Sequence, residues 1–573
     1  MKLNIRRLSY IISFCILVSA SITPSVFLSF QAIYIEESSE STTLTLEDNS
    51  FNSIKMSYVP YNNITILSDG YNGKWGWNWD DSKYPSIAVD GSGNIHAVWH
   101  DETNNPSKWG YDDEIMYAKW TAATGWFNAS VISDGYDNIW GWNDAESMYP
   151  SIAVDGNDNI HVVWYDGTDG KWGTDFEIMY ANYSVSSDHW SNATVISDGY
   201  NDVWGWNNDD SWYPSIAVDG NDNIHVVWQD ETNNTAKWGI DDEIMYANYT
   251  VGVGWSNATV ISDGYGGIWG WNNDPSLYPS ITADNSGNVH IVWQDETNNP
   301  AKWGSDLEIM YANYSVSSGK WSNATVISDG YNNKWGWNLG SSWRPSIVVD
   351  DSDNAHIVWY DSTANMAKWG ADYEIMYANY SISSGKWSNA TVISDGYNNI
   401  WGWNNNQSRN PSIAADCFGN IHVAWYDYTD NLAKWGSDHE IMYAYKIAAT
   451  GKWSNATVIS DGYNNVWGWN DQASWDPSIA ADSSGNVHIV WHDETNNPSK
   501  WDDDMEIMYV KIQFFSSQIL LGGDNDDDND DDNEKRNIVY GYDIVLLIAA
   551  ILSVSVIFLK KNLKNIKNNF VND

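Results

Sequence analysis

The sequence predicts an all-β protein: a seven-bladed β-propeller of four-stranded blades, with the ring closed by the N-terminal strand. Three observations in the 573 residues support this prediction. The chain has a fixed internal period, each repeat contains four strand-like segments, and the two ends of the repeat array are offset by one strand.

The period is marked by a Ser-Asp-Gly tripeptide that occurs seven times. It begins at Ser68, Ser133, Ser197, Ser262, Ser328, Ser394 and Ser460. The spacings are 65, 64, 65, 66, 66 and 66 residues. A fixed period indicates a repeat architecture, and this one suits a four-stranded blade with long loops.

One repeat shows where the strands lie. "PSIAVD" (Pro214 to Asp219) is predicted as strand A, and "IHVVW" (Ile224 to Trp228) as strand B. "EIMYANYTV" (Glu243 to Val251) and "WSNATVIS" (Trp255 to Ser262) follow as strands C and D. Each run is apolar or β-branched and is bounded by Gly, Asn and Asp, as strands usually are.

The ends of the array indicate a closed ring. "YNNITILSDGY" (Tyr61 to Tyr71) matches a strand D, whereas the last repeat stops at strand C, "EIMYVKI" (Glu506 to Ile512). The N-terminal strand can therefore complete the last blade, which removes the exposed edges that an open array would leave. We expect the propeller to span residues 61–512.

Both termini are predicted to be membrane signals. Residues 1–20 read as a signal peptide, with an uncleaved anchor reaching residue 35 as the alternative, and residues 21–60 as a linker. After the propeller come an acidic spacer (513–537), an apolar transmembrane helix (538–559) and a basic cytoplasmic tail (560–573). The lysines after the helix indicate a single-pass membrane protein with an extracellular propeller.

The charge balance narrows the range of partners. Seventy-six acidic residues against 28 basic ones give a net charge of -48. Such a surface repels nucleic acid and is compatible with divalent cations, so calcium is the cofactor to consider.

Two resemblances add to this reading. "PSIAVDGSGNIHAVW" (Pro85 to Trp99) resembles the repeats of sialidase-type propellers and their Asp-box (BNR) relatives. At the turn before strand D the Asp box is degenerate, since "SVSSGKW" (Ser315 to Trp321) lacks its Asp. The C-terminal 30 residues resemble archaeal sorting signals of the CTERM type. The first resemblance implies the propeller fold, and the second implies anchoring at the cell surface.

A Trp-Gly-Trp-Asn motif recurs in every repeat, in a long loop between strand D and the next strand A. Paired tryptophans beside Asn and Asp suit sugar recognition, and they equally suit packing of the loops against each other. The candidate ligand-binding residues are Trp75, Trp77, Trp140, Trp142, Trp204, Trp206, Trp269, Trp271, Trp335, Trp337, Trp401, Trp403, Trp467 and Trp469.

Other repeated polar residues have structural and functional readings. The strand-B histidines, one per blade, favour a structural role as inter-blade hydrogen-bonding groups. The strand-C glutamates favour a structural role too, with a calcium site at Asp101, Asp113 and Glu114 as the alternative. Thirteen glycosylation sequons include six in strand D, at Asn128, Asn192, Asn257, Asn323, Asn389 and Asn455.

Enzyme activity is not favoured by the sequence. A sialidase needs three clustered arginines, and the repeat array contains only Arg344 and Arg409. The preferred function is a surface-anchored binding module for an extracellular glycan or another surface protein. The alternatives are a glycoside-processing enzyme and a structural envelope component.

Overall fold

The computed structural model describes residues 30–38, 41–48, 52–68, 78, 80–103, 110–134, 143, 145–168, 173–198, 207, 209–233, 239–263, 272, 274–296, 306–329, 340–363, 372–394, 406–428, 437–460, 472–494 and 504–521. These residues form strands and turns, without a helix. None of the described segments is therefore a helix long and apolar enough to span a bilayer. The predicted signal peptide (1–20), transmembrane helix (538–559) and cytoplasmic tail (560–573) lie outside the described residues.

The chain divides into two compact units, residues 62–511 and a second unit of residues 1–61 with 512–573. The second unit holds strands where the sequence suggested a linker. These are β1 (Phe30–Ser38), β2 (Ser41–Asp48) and β3 (Asn52–Ile66), and β3 continues into the larger unit. Strand β2 pairs antiparallel with both β1 and β3.

The larger unit consists of seven antiparallel sheets, which confirms the all-β, seven-bladed propeller. The A strands are Ser82–Val89, Ser147–Val154, Ser211–Val218, Ser276–Ala283, Ser342–Val349, Ser408–Ala415 and Ser474–Ala481. The B strands are Ile95–Asp101, Ile160–Asp166, Ile224–Asp230, Val289–Asp295, Ala355–Asp361, Ile421–Asp427 and Val487–Asp493. The C strands are Glu114–Thr121, Glu177–Ser184, Glu243–Thr250, Glu308–Ser315, Glu374–Ser381, Glu440–Ile447 and Glu506–Leu521.

The A strands surround the central axis. Each contacts the A strand of the next blade, and the A strand of blade 7 contacts that of blade 1. The serine of the Pro-Ser-Ile segment joins neighbouring blades, since its hydroxyl accepts a hydrogen bond from the isoleucine N–H of an adjacent blade. Ile152 donates to Ser86 at 3.3 Å, and Ile87 of blade 1 donates to Ser478 of blade 7 at the same distance. The repeated serine therefore ties the ring together at its centre.

The N-terminal strand completes blade 7, the arrangement that the offset of the repeats predicts. The Leu67 N–H donates to the Ile507 carbonyl at 2.7 Å, and the Ile507 N–H donates to Ser68 Oγ at 2.8 Å. The Ser68 hydroxyl also donates to Glu506. Every equivalent serine in the other blades binds its own strand-C glutamate in the same way.

Strand D differs from the single strand expected from the sequence. In blades 1 to 6 it consists of two short pieces on either side of a bulge. The pieces are Gly125–Trp126 and Ser130–Val131, His189–Trp190 and Thr194–Val195, Gly254–Trp255 and Thr259–Val260, Lys320–Trp321 and Thr325–Val326, Lys386–Trp387 and Thr391–Val392, and Lys452–Trp453 and Thr457–Val458. In blade 3, Trp255 pairs with Tyr249 but Thr259 pairs with Tyr246, so strand D carries one extra residue. Each of these sheets therefore contains five strand pieces.

The core lies between the blades. A fully buried tryptophan ends the apolar part of each strand B: Trp99, Trp164, Trp228, Trp293, Trp359, Trp425 and Trp491. Each indole N–H donates to the aspartate two residues later, for example Trp164 to Asp166 at 3.0 Å. The apolar clusters join side chains of successive blades, such as Val163 and Ile178 of blade 2 with Trp228 of blade 3. Removing such a tryptophan would cost about 3 to 5 kcal/mol, so the core fixes the blade positions.

Candidate functional site

The residue before the repeated proline has an unusual backbone in all seven blades. We call these residues the axial ring: Tyr84, Tyr149, Tyr213, Tyr278, Arg344, Asn410 and Asp476. Their φ angles lie between 45° and 51°, in the left-handed region that residues other than glycine rarely adopt. Such strain costs about 1 to 3 kcal/mol per residue and is concentrated at functional sites in proteins.

A bulge in strand A produces this conformation. Lys83 pairs with His100, whereas Ser86 pairs with Val98, so the Tyr84–Pro85 segment contains one extra residue. The same register shift is found in the other six A strands. A bulge re-aims the side chain that it carries, and here the re-aimed side chains of neighbouring blades meet.

Aromatic side chains form one part of the axial ring. The rings of Tyr84 and Tyr149 stack with centroids 4.0 Å apart. Tyr149 and Tyr213 are 4.9 Å apart, and Tyr213 and Tyr278 are 4.7 Å apart. The Arg344 guanidinium then lies over the Tyr278 ring at 4.4 Å. Four tyrosines thus make a continuous aromatic arc that ends at an arginine.

Polar side chains form the rest of the ring. The Asn410 side-chain amide donates to the Asp476 carboxylate. His492 is 5.5 Å from the Tyr84 ring, which connects blade 7 back to blade 1. Burial opposes the charge on Arg344, but Asp476 and the surrounding tyrosines together outweigh it and raise the pKa of the guanidinium. The seven residues are all half-buried, so they are partly accessible at the mouth of the ring.

The blades are nearly identical in the core and differ around this ring. Ser82, Pro85, Ser86, Trp99 and Asp101 have the same residue type at the equivalent position of every blade. Three further positions near the axial ring vary. Before the ring residue stand Lys83, Met148, Trp212, Leu277, Trp343, Arg409 and Trp475. After the strand-B tryptophan stand His100, Tyr165, Gln229, Gln294, Tyr360, Tyr426 and His492, and before the strand-C glutamate stand Asp113, Phe176, Asp242, Leu307, Tyr373, His439 and Met505.

The two arginines of the array converge here. Burial raises the pKa of Tyr360, and the positive charges of Arg344 and Arg409 both act against this rise. Arg409 lies over the rings of Tyr373 at 4.8 Å and Tyr428 at 5.3 Å. Among the described residues neither arginine has a carboxylate within ion-pair distance, in contrast to Lys83, which pairs with Asp81 and Glu102. The Arg409 Nε is buried without a partner among them.

Two buried histidines stand beside the tyrosine arc. His100 is 5.2 Å from Tyr84, and His492 contacts Tyr84 from the other side. Burial lowers the pKa of His100 to about 3 and that of His492 to about 4. Both imidazoles are therefore neutral at pH 7.

An open cleft between blades 1 and 2 borders the site. It has a volume of about 300 Å³ and is lined by Tyr111, Asp112, Asp113, Ala145, Glu146, Gly167 and Phe176. Burial and the charges of Glu102 and Glu146 raise the pKa of Asp113 to about 7. Asp113 also lies within 4.8 Å of His100 and Glu102, and Asp209, Asp210 and Glu231 form a similar group.

The three residues suggested as a calcium site from the sequence have different surroundings. The Asp101 carboxylate accepts hydrogen bonds from Ser82 Oγ at 2.8 Å, the Thr103 N–H at 3.0 Å and Trp99 Nε1 at 3.2 Å. These bonds connect strand B to strand A and to the following loop, a structural role. Glu114 binds Ser133 instead, and Asp113 belongs to the cleft.

The fourteen candidate tryptophans lie outside the described residues. The asparagine that ends four of these motifs is described and buried: Asn78, Asn143, Asn207 and Asn272. Asn78 accepts a hydrogen bond from Thr103 and donates to Ser82 Oγ at 3.2 Å. The motif therefore ends in a fixed position beside the start of strand A, next to the axial ring.

Two other sets of repeated residues are described in full. The six strand-D sequon asparagines are exposed and sit in the strand-D bulge. The strand-B histidines bind within their own blade rather than between blades: His96 Nδ1 is 2.8 Å from Tyr117 Oη and Nε2 is 3.1 Å from Asp90. Burial opposes the charge on Asp90, but the bonds from His96 and Asn94 lower its pKa to about 2. Their structural role is thus met by a Tyr–His–Asp chain that links strands A, B and C.

The axial ring cannot be predicted from the residues that the repeats share, because its side chains are those that differ between blades. The signal was present: the residue before the repeated proline is Tyr in blades 1 to 4 and then Arg, Asn and Asp in blades 5 to 7. Aligning the repeats and marking the positions that differ would have found it.

No protein-family model matches the chain, and no curated protein matches it. Solved structures with similar folds include a polysaccharide lyase described as an ulvan lyase, at 10% identity and a TM-score of 0.44, covering 75% of this chain and 94% of that one. An intramolecular trans-sialidase from Ruminococcus gnavus aligns at 9% identity and 0.35, covering 78% and 96%. The α-L-arabinofuranosidase of Fusarium graminearum aligns at 10% identity and 0.39, covering 79% and 98%. Identities this low and TM-scores below 0.5 say nothing about the activity of this chain.

Proposed function

We propose that the protein is a cell-surface propeller that binds an extracellular glycan at the axial ring, with an acidic group of the glycan held by Arg344 and Arg409. The observation that carries this proposal is the break in symmetry. Seven blades with nearly the same interior present different side chains around the axis, on a strained backbone. Packing would favour identical residues there, whereas one ligand on a sevenfold axis needs different ones.

The aromatic and the polar part of the axial ring suit two different features of a glycan, its sugar rings and its acidic groups. The tyrosine arc from Tyr84 to Tyr278 offers flat apolar surfaces with hydroxyl groups, which stack on sugar rings and bind their hydroxyls. The guanidinium groups of Arg344 and Arg409 have no counter-ion within ion-pair distance among the described residues. They are suited to bidentate binding of a carboxylate or sulfate.

The predicted membrane signals would place this site outside the cell. A signal peptide at residues 1–20 and a helix at 538–559 would hold the propeller outside the membrane, where glycans are found. Another surface protein is the alternative ligand, and binding to a glycan array separates the two.

The competing function is glycoside processing. The observation that favours it is Asp113, whose raised pKa of about 7 suits a general acid. Asp113 lies in the cleft between blades 1 and 2, which borders the axial ring. Glycoside hydrolysis would need a second carboxylate at a matching distance.

The test is binding of the full chain to a glycan array that contains uronate-bearing, sulfated and neutral oligosaccharides. We expect acidic glycans to bind and neutral analogues to bind more weakly. Arg344→Gln and Arg409→Gln should each weaken binding of the best acidic glycan about 10-fold or more, as loss of a charge-assisted hydrogen bond does. Lys320→Gln, which removes an exposed cation at the C–D turn, should leave the affinity unchanged.

The remaining outcomes decide between the alternatives. Equal affinity of all three variants for the glycan would show that the two arginines do not contribute to binding. Binding to no glycan would exclude the glycan proposal and favour a protein ligand or a structural role. New reducing ends in the incubated glycan would show processing, and their loss in Asp113→Asn would assign the acid.

A further inference from the structure

A histidine and two carboxylates meet in blade 1, where strand B ends and strand C begins. His100 is the penultimate residue of strand B, Glu102 follows that strand directly, and Asp113 directly precedes strand C. Side chains two residues apart in an extended segment lie on the same side, so His100 and Glu102 share a face. Asp101 pairs with Glu114 in the antiparallel register, which brings Glu102 and Asp113 next to each other just beyond the paired strands.

The three side chains are close enough to share one ion. One ring nitrogen of His100 and one carboxylate oxygen each of Glu102 and Asp113 lie within 4.8 Å of one another. A zinc ion holds such ligands at about 2.0 to 2.2 Å. Glu102 and Asp113 are only half-buried, so their side chains have room to rotate toward an ion bound at the imidazole.

The His100 imidazole is buried without a hydrogen bond. The residue is 2% exposed, and its Nδ1 has no partner among the described residues. Neither Glu102 nor Asp113 accepts a hydrogen bond from the ring within the described part of the chain. A buried polar atom without a partner is rare and costly in a folded protein. A buried imidazole that faces two carboxylates and is bonded to neither of them points to a ligand between the three groups.

Blade 3 carries the same two carboxylates with a glutamine in place of the histidine. Gln229, Glu231 and Asp242 occupy the three equivalent positions there. The Gln229 side-chain amide donates to Asp242 Oδ2 at 2.9 Å. In blade 3 an amide hydrogen thus lies at the carboxylate, a place that the imidazole of blade 1 leaves open.

The combination of one histidine and two carboxylates at these positions occurs in blade 1 alone. Blade 7 has His492 and Glu494, but Met505 stands in place of the aspartate. Blades 2, 4, 5 and 6 have at most one carboxylate at the three positions. A set that belongs to one blade is expected of a binding site, whereas packing within a blade is needed seven times.

The surroundings favour a cation. The charges of Glu102 and Glu146 both act on Asp113, against that of Lys83. The Lys83 Nζ is 2.7 Å from Glu102 Oε1 and 2.8 Å from Asp81 Oδ2, so it binds one oxygen of Glu102 and leaves the second to a metal. Asp113 and Glu146 also line the open cleft between blades 1 and 2, which gives an ion a route from solvent.

We propose that His100, Glu102 and Asp113 bind one divalent transition-metal ion, with zinc as the probe. One imidazole nitrogen with two carboxylate oxygens is a donor set that suits zinc, whereas calcium takes about six to eight oxygens. Three protein ligands leave at least one position for a water molecule, which the cleft has room to hold. The inference is independent of glycan binding, because it rests on other residues than the arginines and is tested by metal affinity.

The first test is zinc binding to the full chain after removal of metals with EDTA, measured by equilibrium dialysis. The wild type should bind one ion per chain at limiting zinc. His100→Gln should lower the affinity about 100-fold or more, because changes beside a metal ligand already cost about 10- to 100-fold. This variant should fold, since glutamine occupies the same position in blade 3, and it should lose the rise in Tm that zinc gives to the wild type.

Two variants serve as controls. Asp209→Asn changes the acidic group of Asp209, Asp210 and Glu231, which contains no histidine. His189→Gln removes an exposed histidine of blade 2. Both variants should bind zinc with the affinity of the wild type.

A reverse variant tests whether the three positions are sufficient. Gln229→His adds a histidine to Glu231 and Asp242 and so completes the same set in blade 3. It should raise the bound zinc from one ion per chain to two. A folded Gln229→His that still binds one ion would contradict the assignment of the site to these three positions.

Other results would overturn the proposal. Equal zinc binding by His100→Gln and the wild type would show that the ion lies elsewhere. Equal affinity of the wild type for zinc and for calcium would show diffuse binding to the acidic surface. If His100→Gln does not fold, Asp113→Asn changes a half-buried ligand instead, and unchanged zinc binding in that variant would exclude the site.

Discussion

The axial ring shows how one backbone conformation carries several chemistries. Tyr, Arg, Asn and Asp share a left-handed φ between 45° and 51°, and each stands before a proline that restricts it further. Asparagine and aspartate tolerate this conformation, but tyrosine and arginine gain nothing from it. The side chains at these positions are therefore explained by what they present at the axis and not by local stability.

At the same scale, the buried His492 predicts a pH dependence of stability. Its pKa is lowered to about 4 by burial, with Lys83 adding to the effect and Asp476 and Asp81 opposing it. The unfolded chain binds this proton near pH 6.5, so the stability contributed at neutral pH is lost as the pH falls from 6.5 to about 4. His492→Gln should lose less stability over this interval than the wild type, measured by urea unfolding at several pH values.

The control for this prediction is His189→Gln, which changes an exposed histidine in the C–D turn of blade 2. It should follow the wild-type pH dependence. The free energy of unfolding of His492→Gln and of the wild type could instead change in parallel with pH. The imidazole would then take up its proton equally in the folded and unfolded states, which would contradict a neutral His492 beside Tyr84.

At the scale of the strand, ring closure predicts the effect of one N-terminal residue. Leu67 is 3% exposed and its N–H binds Ile507, so it occupies the place that Ile196 has in blade 2, also 3% exposed. Leu67→Ala should lower the free energy of unfolding by about 2 to 5 kcal/mol, as truncation of a buried leucine does. Ile196→Ala is the matched variant and should cost a similar amount.

Ring closure would be contradicted if Leu67→Ala lowered the free energy of unfolding by no more than about 0.5 kcal/mol, which is typical of an exposed site. Chemical denaturation of the full chain measures both variants. A large loss in Ile196→Ala alone would mean that blade 7 is held by three strands in solution.

The strands were predictable because alternation, flanking turns and period agree in seven copies. Strand D was only partly predictable: "WSNATVIS" has strand composition throughout, and nothing in it marks the extra residue between Trp255 and Thr259. The bulge before Pro85 was not predictable for a different reason. A proline in an apolar segment suggests the beginning of a strand, and the register shift appears only when strand A is paired with strand B.

At the scale of the whole molecule, the lysines after residue 559 predict the orientation in the membrane. A protease site placed in the 513–537 spacer should be cut from outside intact cells, and a site placed after Lys567 should be protected until the cells are lysed. The basic tail stays inside under the positive-inside rule, which gives this asymmetry. The opposite pattern would place the propeller in the cytoplasm, where it would meet no extracellular glycan.

Ring closure also determines when the fold can be completed during synthesis. Ser68 and its partner Glu506 are 438 residues apart in the chain. At about 5 to 20 residues per second, the ribosome needs roughly 20 to 90 s to deliver the second after the first. Blades 1 to 6 can fold as they emerge, but the N-terminal strand waits for the other three strands of blade 7, which are made at the end of synthesis. During that interval the waiting strand of one chain can enter blade 7 of a neighbouring chain, so crowded synthesis favours strand-swapped pairs over single rings.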